Sequence, residues 1–115
     1  MVNNCSVSNI KEGVFMIKHV VMWEFAPTAK DQSAGENAKM FKGMLLSLKN
    51  KIACINTMEV GINENPSDTN WTMGLIMTFD DMESLQVYRN HPEHKKIAAF
   101  CKDVRISRAC VDFTI

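Results

Sequence analysis

Groups that can move protons are concentrated in one stretch, Tyr88-Arg89-Asn90-His91-Pro92-Glu93-His94, which holds two of the chain's 3 histidines and its 1 tyrosine. Imidazole is the side chain whose ordinary pKa lies near neutrality, so a neutral histidine can take a proton there. A phenol beside it can orient or protonate a substrate oxygen. Pro92 lacks an N–H and restricts the residue before it to extended backbone, so the stretch reads as a corner between two helices. With His91 as the cap, His94 falls at about the third position of the following helix. The positive end of the helix dipole disfavours imidazolium there by about 0.3–1 kcal/mol, an effect that Glu93 opposes. His94 as base, Tyr88 as orienting acid and His19 from the first strand form the candidate catalytic set.

Each of these residues also has a simpler role. His91-Pro92 is a good helix start in its own right. His91 and His94 have a spacing that could serve a metal, but no carboxylate or cysteine is patterned to complete the set, so no metal and no cofactor is expected. Tyr88 alone reads as a core tyrosine with its hydroxyl at the surface, and His19 as a hydrogen-bonded core histidine. The methionines read as core filler.

The elements that must position these groups follow from periodicity. Residues 17–25 form a strand with His19, Val21, Trp23 and Phe25 on one face and Lys18, Val20, Met22 and Glu24 on the other. Apolar residues on both faces indicate cover on both sides. A helix is predicted between Thr28 and Asn50, with Ala34, Ala38, Phe41, Leu45 and Leu48 on its apolar stripe and Thr28 as an acceptable cap. Strands are predicted over 55–60 and 71–79, joined by a loop of polar composition over 63–70. Asp80 with Glu83 resembles a capping box for a second helix. The helix after the corner buries Ile97, Ala98, Phe100 and Cys101, and a last strand over about 106–115 carries Ala109, Val111, Phe113 and Ile115 on one face.

The order β-α-β-β-α-α-β predicts an α+β, ferredoxin-like fold: a four-stranded antiparallel sheet with helices on one face. That leaves Val20, Met22 and Ile76 on an open face, which a homodimer would cover. At 115 residues and zero net charge, the chain fits one domain over residues 16–115 behind a loosely ordered extension, residues 1–15. Nothing in the charge attracts nucleic acid or an acidic membrane. RNA-recognition modules share the topology but need exposed aromatics in a basic setting on the central strands, a pattern missing here. No apolar run approaches the ~20 residues of a membrane span. Cys5, Cys54, Cys101 and Cys110 show no Cys-x-x-Cys spacing, and the last three lie in regular apolar segments. Buried thiols and a cytoplasmic location are therefore expected.

Several pieces together carry a family resemblance. They are Ile-Lys-His-Val-Val-Met-Trp-Glu-Phe, Met-Glu-Val-Gly-Ile-Asn, Trp-Thr-Met-Gly-Leu-Ile-Met-Thr-Phe, the corner itself and the closing Val-Asp-Phe. Over about Met16 to Ile115 the chain resembles the Dabb family, the stress-responsive dimeric α/β-barrel domains. The resemblance implies a homodimeric barrel built through the open sheet face, without cofactor, that binds an unidentified small molecule between sheet and helices and has no assigned reaction. It also implies two alternatives. One is a cofactor-free cyclase or aldol-type lyase, because the catalytic histidine and tyrosine of the plant olivetolic acid cyclase correspond by motif to His94 and Tyr88, and its strand histidine to His19. The other is a cofactor-free monooxygenase. The implied ligand wall comprises Val21, Trp23, Phe41, Leu75 and Ile97. Counting from His94, Arg105 and Arg108 replace two apolar positions of the cyclase pocket, and Leu45 replaces a tyrosine. Guanidinium groups there suit an anionic ligand better than an apolar chain.

Overall fold

The computed structural model describes residues 15–115. The predicted extension lies outside these residues except for Phe15, and Cys5 lies outside them too. Four long strands, β1 (Ile17–Phe25), β4 (Thr57–Ile62), β5 (Met73–Phe79) and β6 (Arg105–Thr114), form one antiparallel sheet in the order β4-β5-β1-β6. Helices α1 (Ala34–Ser47), α2 (Met82–Asn90) and α3 (Pro92–Val104) cover one face. The fold is ferredoxin-like, as the element order requires.

β1 is central, and its alternation sets the layers. Ile17, His19, Val21, Trp23 and Phe25 are buried against the helices, where Phe41, Leu45 and Leu48 meet them. Val20 and Met22 face the other way, in register with Val111 and Ala109 of β6 and with Ile76 and Gly74 of β5. Met22, Ile76, Val111 and Phe113 are all exposed on this open face.

Three helix starts are set by local hydrogen bonding, two of them not where the sequence pattern placed them. Thr28 does not cap α1. It belongs to a two-residue strand, β2 (Thr28–Ala29), paired with β3 (Gln32–Ser33). Lys30 and Asp31 between them have φ of 52° and 61°, the left-handed pair of a type I′ hairpin turn. The cap is Ser33: its Oγ accepts from the Glu36 N–H at 3.1 Å while Glu36 Oε1 accepts from the Ser33 N–H at 2.8 Å. The α2 cap is Asp81 rather than Asp80. Asp81 accepts from the Ser84 N–H at 2.8 Å, which leaves Glu83 one position too early to close a box, and Asp80 accepts instead from the Asn56 amide at 2.8 Å. At the corner, His91 Nδ1 accepts from the Glu93 N–H at 3.0 Å and Pro92 opens α3.

Strand limits shift by small amounts. β4 begins at Thr57, because Ile52, Cys54 and Ile55 are buried in the turn before it. β5 begins at Met73, because the loop before it is closed by bonds from Asn63 N–H to the Thr72 carbonyl and from Thr72 N–H to the Trp23 carbonyl, at 2.8 and 2.9 Å. α3 runs directly into β6. The β1–β6 register then slips between Glu24 and Phe25: Glu24 pairs with Ser107, but Phe25 pairs with Arg105. Ile106 is thus the extra residue of a bulge.

Asn37 is fully buried; its amide donates to the Ala29 carbonyl at 2.9 Å and its oxygen accepts from Gln32 at 3.2 Å, tying the hairpin to α1. Asn37→Leu should lower unfolding free energy by about 1–3 kcal/mol, because the half-buried Ala29 carbonyl loses its donor and the hairpin its tie to α1. Urea denaturation with an unchanged midpoint would contradict this role.

Candidate functional site

A cavity of about 410 Å³ lies between the helix-facing side of the sheet and α1 and α3. His19, Tyr88 and His94 all line it. The expected apolar wall does too: Val21 and Trp23 from β1, Phe41 from α1, Leu75 from β5 and Ile97 from α3. Leu45, expected to take the place of a tyrosine, is also in the wall. Arg105 and Arg108 reach the same cavity. His91 is not in its lining; it is spent on the helix cap.

β1 presents His19 to the cavity because its odd positions face the helices. The ring is buried, and its Nδ1–H donates to Asp112 Oδ1 at 2.5 Å, with Asp112 directly opposite on β6. The other carboxylate oxygen of Asp112 accepts from Arg89 Nη2 at 2.9 Å. Across the cavity, His94 Nδ1–H donates to the Arg89 carbonyl at 3.2 Å. In both neutral rings the basic nitrogen is therefore Nε2, and among the described residues neither Nε2 has a hydrogen-bond partner. Burial pushes the pKa of both histidines below the ordinary value; Asp112 opposes this at His19, and the Arg89 carbonyl opposes it at His94. Both are then neutral near pH 7, able to accept a proton.

Tyr88 sits between them, its ring centroid 4.5 Å from that of His94 and 6.2 Å from that of His19. It is only 1% exposed, contrary to the surface hydroxyl expected of a simple core tyrosine. Burial raises its pKa, so the phenol stays protonated and acts as a donor. Among the described residues no group accepts from that hydroxyl or donates to it. A donor flanked by neutral bases can hold a substrate oxygen while a neighbouring proton is removed.

Cys101 also lines the cavity, but burial raises its thiol to about 11, so it is not a nucleophile at neutral pH. Cys110 is exposed, not buried as its apolar segment implied, because β6 is an edge strand. His19, Cys110 and Asp112 are the cluster of metal-ligand type among the described residues. Ligand atoms around one zinc stand more than ~3 Å apart, given bonds of about 2.0–2.3 Å in tetrahedral geometry. The 2.5 Å His19–Asp112 contact is instead a hydrogen bond. The Arg89 cation on the same carboxylate further opposes a metal ion.

Asp112 and Arg89 escape the motif reading. Asp112 carried a signal, as a lone carboxylate on the strand face opposite Ala109, Val111 and Phe113; Arg89 carried none, since surface arginines are common on helices.

Residues 17–115 match the model of the Stress responsive A/B Barrel Domain, Dabb. A search of the curated proteins gives no match. Among solved structures, a dimeric ferredoxin-like protein of unknown function from Bacteroides fragilis is 31% identical, covering 87% of this chain and 96% of that one, with a TM-score of 0.79. A Dabb family protein from Mesorhizobium loti is 20% identical, over 86% and 95% of the two chains, at 0.63. A hydroxynitrile lyase from Passiflora edulis is 13% identical, over 87% and 93%, at 0.71; at that identity the likeness is one of fold.

The buried histidines make stability depend on pH. Their folded pKa values lie below the unfolded value, so the unfolded chain binds protons first on acidification. Their contribution is fully present above about pH 6.5 and is lost as pH falls through the folded values. The urea midpoint should fall from about pH 7.5 to about pH 5, and a His19→Gln, His94→Gln double variant should flatten that slope. An equally steep slope in the double variant would assign it to other groups.

Proposed function

Because the chain belongs to the stress responsive A/B barrel domain (Dabb) family, we propose that it works as a homodimer that holds a small molecule in the cavity between sheet and helices. The observation that carries this reading is the Tyr88 hydroxyl, buried at the cavity wall without a protein partner. With no protein group supplying its hydrogen bond, this hydroxyl is available to solvent or to a ligand oxygen in the cavity. The dimer is supported by the apolar open face, where Val20, Met22, Ile76, Val111 and Phe113 lie on adjacent strands. The Bacteroides relative is described as dimeric. Two such sheets packed face to face make a barrel with the helices outside, and both cavities remain open. No helix among the described residues is long and apolar enough to cross a membrane. A cytoplasmic location, where Cys101 and Cys110 stay reduced, completes the reading.

A second reading is cofactor-free acid–base catalysis at the same cavity, favoured by the contact of the Tyr88 and His94 rings and by the free Nε2 of His94. The same fold is found in an enzyme, since the Passiflora protein is named as a hydroxynitrile lyase.

Sedimentation should give a dimer at micromolar concentration, and Val20→Glu with Val111→Glu should give a folded monomer. Native mass spectrometry after incubation with a metabolite extract should show a retained mass that Ala98→Trp, which fills the cavity, abolishes. Retention in that variant would place the molecule elsewhere and sink the cavity reading. Turnover of the retained molecule, lost in His94→Ala with the dimer intact, would establish the second reading.

A further inference from the structure

We propose that the molecule held in this cavity is an organic carboxylate with an apolar body, its carboxylate seated on Arg105 and Arg108. This rests on the cavity being a ligand site.

The charge around the cavity is one-sided. Lys95, Lys102, Arg105 and Arg108 line it, and no aspartate or glutamate does. None of these cations has an ion-pair partner among the described residues. The third arginine, Arg89, is bound to Asp112. A chain with zero net charge has carboxylates enough to neutralise this wall, yet places none there. The lysines alone would read as a solvated helix face. The arginines do not, because a backbone irregularity brings them together. Residues three apart in a regular strand point to opposite faces. The bulge at Ile106 restores both to the helix side, with Arg108 opposite Trp23 and Arg105 opposite Phe25. Both guanidiniums act on the cavity interior, since Arg105 and Arg108 each lower the Cys101 thiol and Arg108 lowers Tyr88 and His94.

The remaining wall near them is apolar: Trp23, Phe41 and Leu45, all nearly fully buried. One anionic group with an apolar remainder matches this division. A carboxylate fits better than a phosphate. Phosphate sites use backbone N–H groups at helix N-termini, whereas Arg105 caps the C-terminal end of α3, which presents carbonyls. Planar guanidinium forks suit carboxylate and phosphate oxygens alike, so the choice rests on the negative end of the α3 dipole beside Arg105, which disfavours a dianion more than a monoanion. From Arg108 the body would run along β1 over Val21 toward Tyr88. The Cα span from the Trp23 pair to the His19 pair is about 13 Å at the rise of an antiparallel strand, which bounds the ligand length.

The test uses the neutral fluorophore N-phenyl-1-naphthylamine as reporter and displaces it with octanoate, methyl octanoate or octyl phosphate near neutral pH. Octanoate should displace it about tenfold better than its methyl ester, the scale expected of partly exposed ion pairs, and added salt should reduce that advantage. In an Arg105→Gln, Arg108→Gln variant, acid and ester should compete equally. If acid and ester compete equally in the unaltered protein, or if the advantage survives in the variant, the assignment is overturned. Octyl phosphate displacing better than octanoate would overturn the choice of carboxylate. Ala98→Trp separates the two levels. If the reporter binds and this variant blocks it, but the acid has no advantage, only the carboxylate assignment falls. If the reporter does not bind, or binds the variant equally, the cavity reading falls with it.

Discussion

Arg89 ties both histidines to one residue, and it can do so only because the helix breaks after it. In a continuous helix the Arg89 carbonyl would accept from the N–H of residue 93. Pro92 ends α2, and the Glu93 N–H turns instead to His91 Nδ1. The Arg89 carbonyl is thereby left for His94, whose ring it orients. The Arg89 guanidinium meanwhile holds Asp112, which orients His19 from β6. One side chain and its own carbonyl thus link α2, α3 and both strands at this end of the cavity. His91 takes no part in the lining, but as the cap it makes that carbonyl available. Capping and site chemistry are consecutive steps of one arrangement at the corner, although they compete as explanations in the sequence.

The second constraint is the alternation of β1. Every odd residue from Ile17 to Phe25 is committed to the helix side, so His19 and Trp23 must share a surface, and Val20 and Met22 must share the opposite one. A central strand cannot shift by one residue without exchanging the two sets. The same period therefore builds the cavity on one side and the apolar open face on the other. In the proposed homodimer, changes on the open face would act on association and changes on the helix face on the cavity, with little crossover between them.

This alternation is why so much of the arrangement was legible in the chain. His19, Tyr88 and His94 could be placed together from one strand parity, one proline and the element order. What was not legible depends on departures from regular periods. The family resemblance places Arg105 at the pocket, but by period two it belongs with Ala109 and Val111 on the open face, and nothing in Arg-Ile-Ser-Arg announces the bulge that moves it. The α1 start was misplaced because a type I′ turn at Lys30-Asp31 uses residues without the usual glycine. Asp80 and Asp81 are equivalent by composition, and only the Asn56 amide distinguishes them. The Arg89–Asp112 pair joins elements far apart in sequence, which local pattern cannot reach.

Two backbone irregularities, then, polarise a cavity that the fold alone would leave as an apolar cleft between sheet and helices. The break at Pro92 gathers uncharged groups at one end, the His94 imidazole and the Tyr88 phenol, beside the His19 imidazole that β1 presents, all kept uncharged by burial. The bulge at Ile106 supplies fixed positive charge at the other. The two ends are coupled, because Arg108 disfavours protonation of His19 and His94 through space. An anion seated on Arg108 would cancel that influence, making the histidines more basic while the site is occupied. Ligand charge would therefore modulate, beside the larger effect of burial, the proton affinity of the groups that face the rest of the ligand, a link that neither irregularity provides alone.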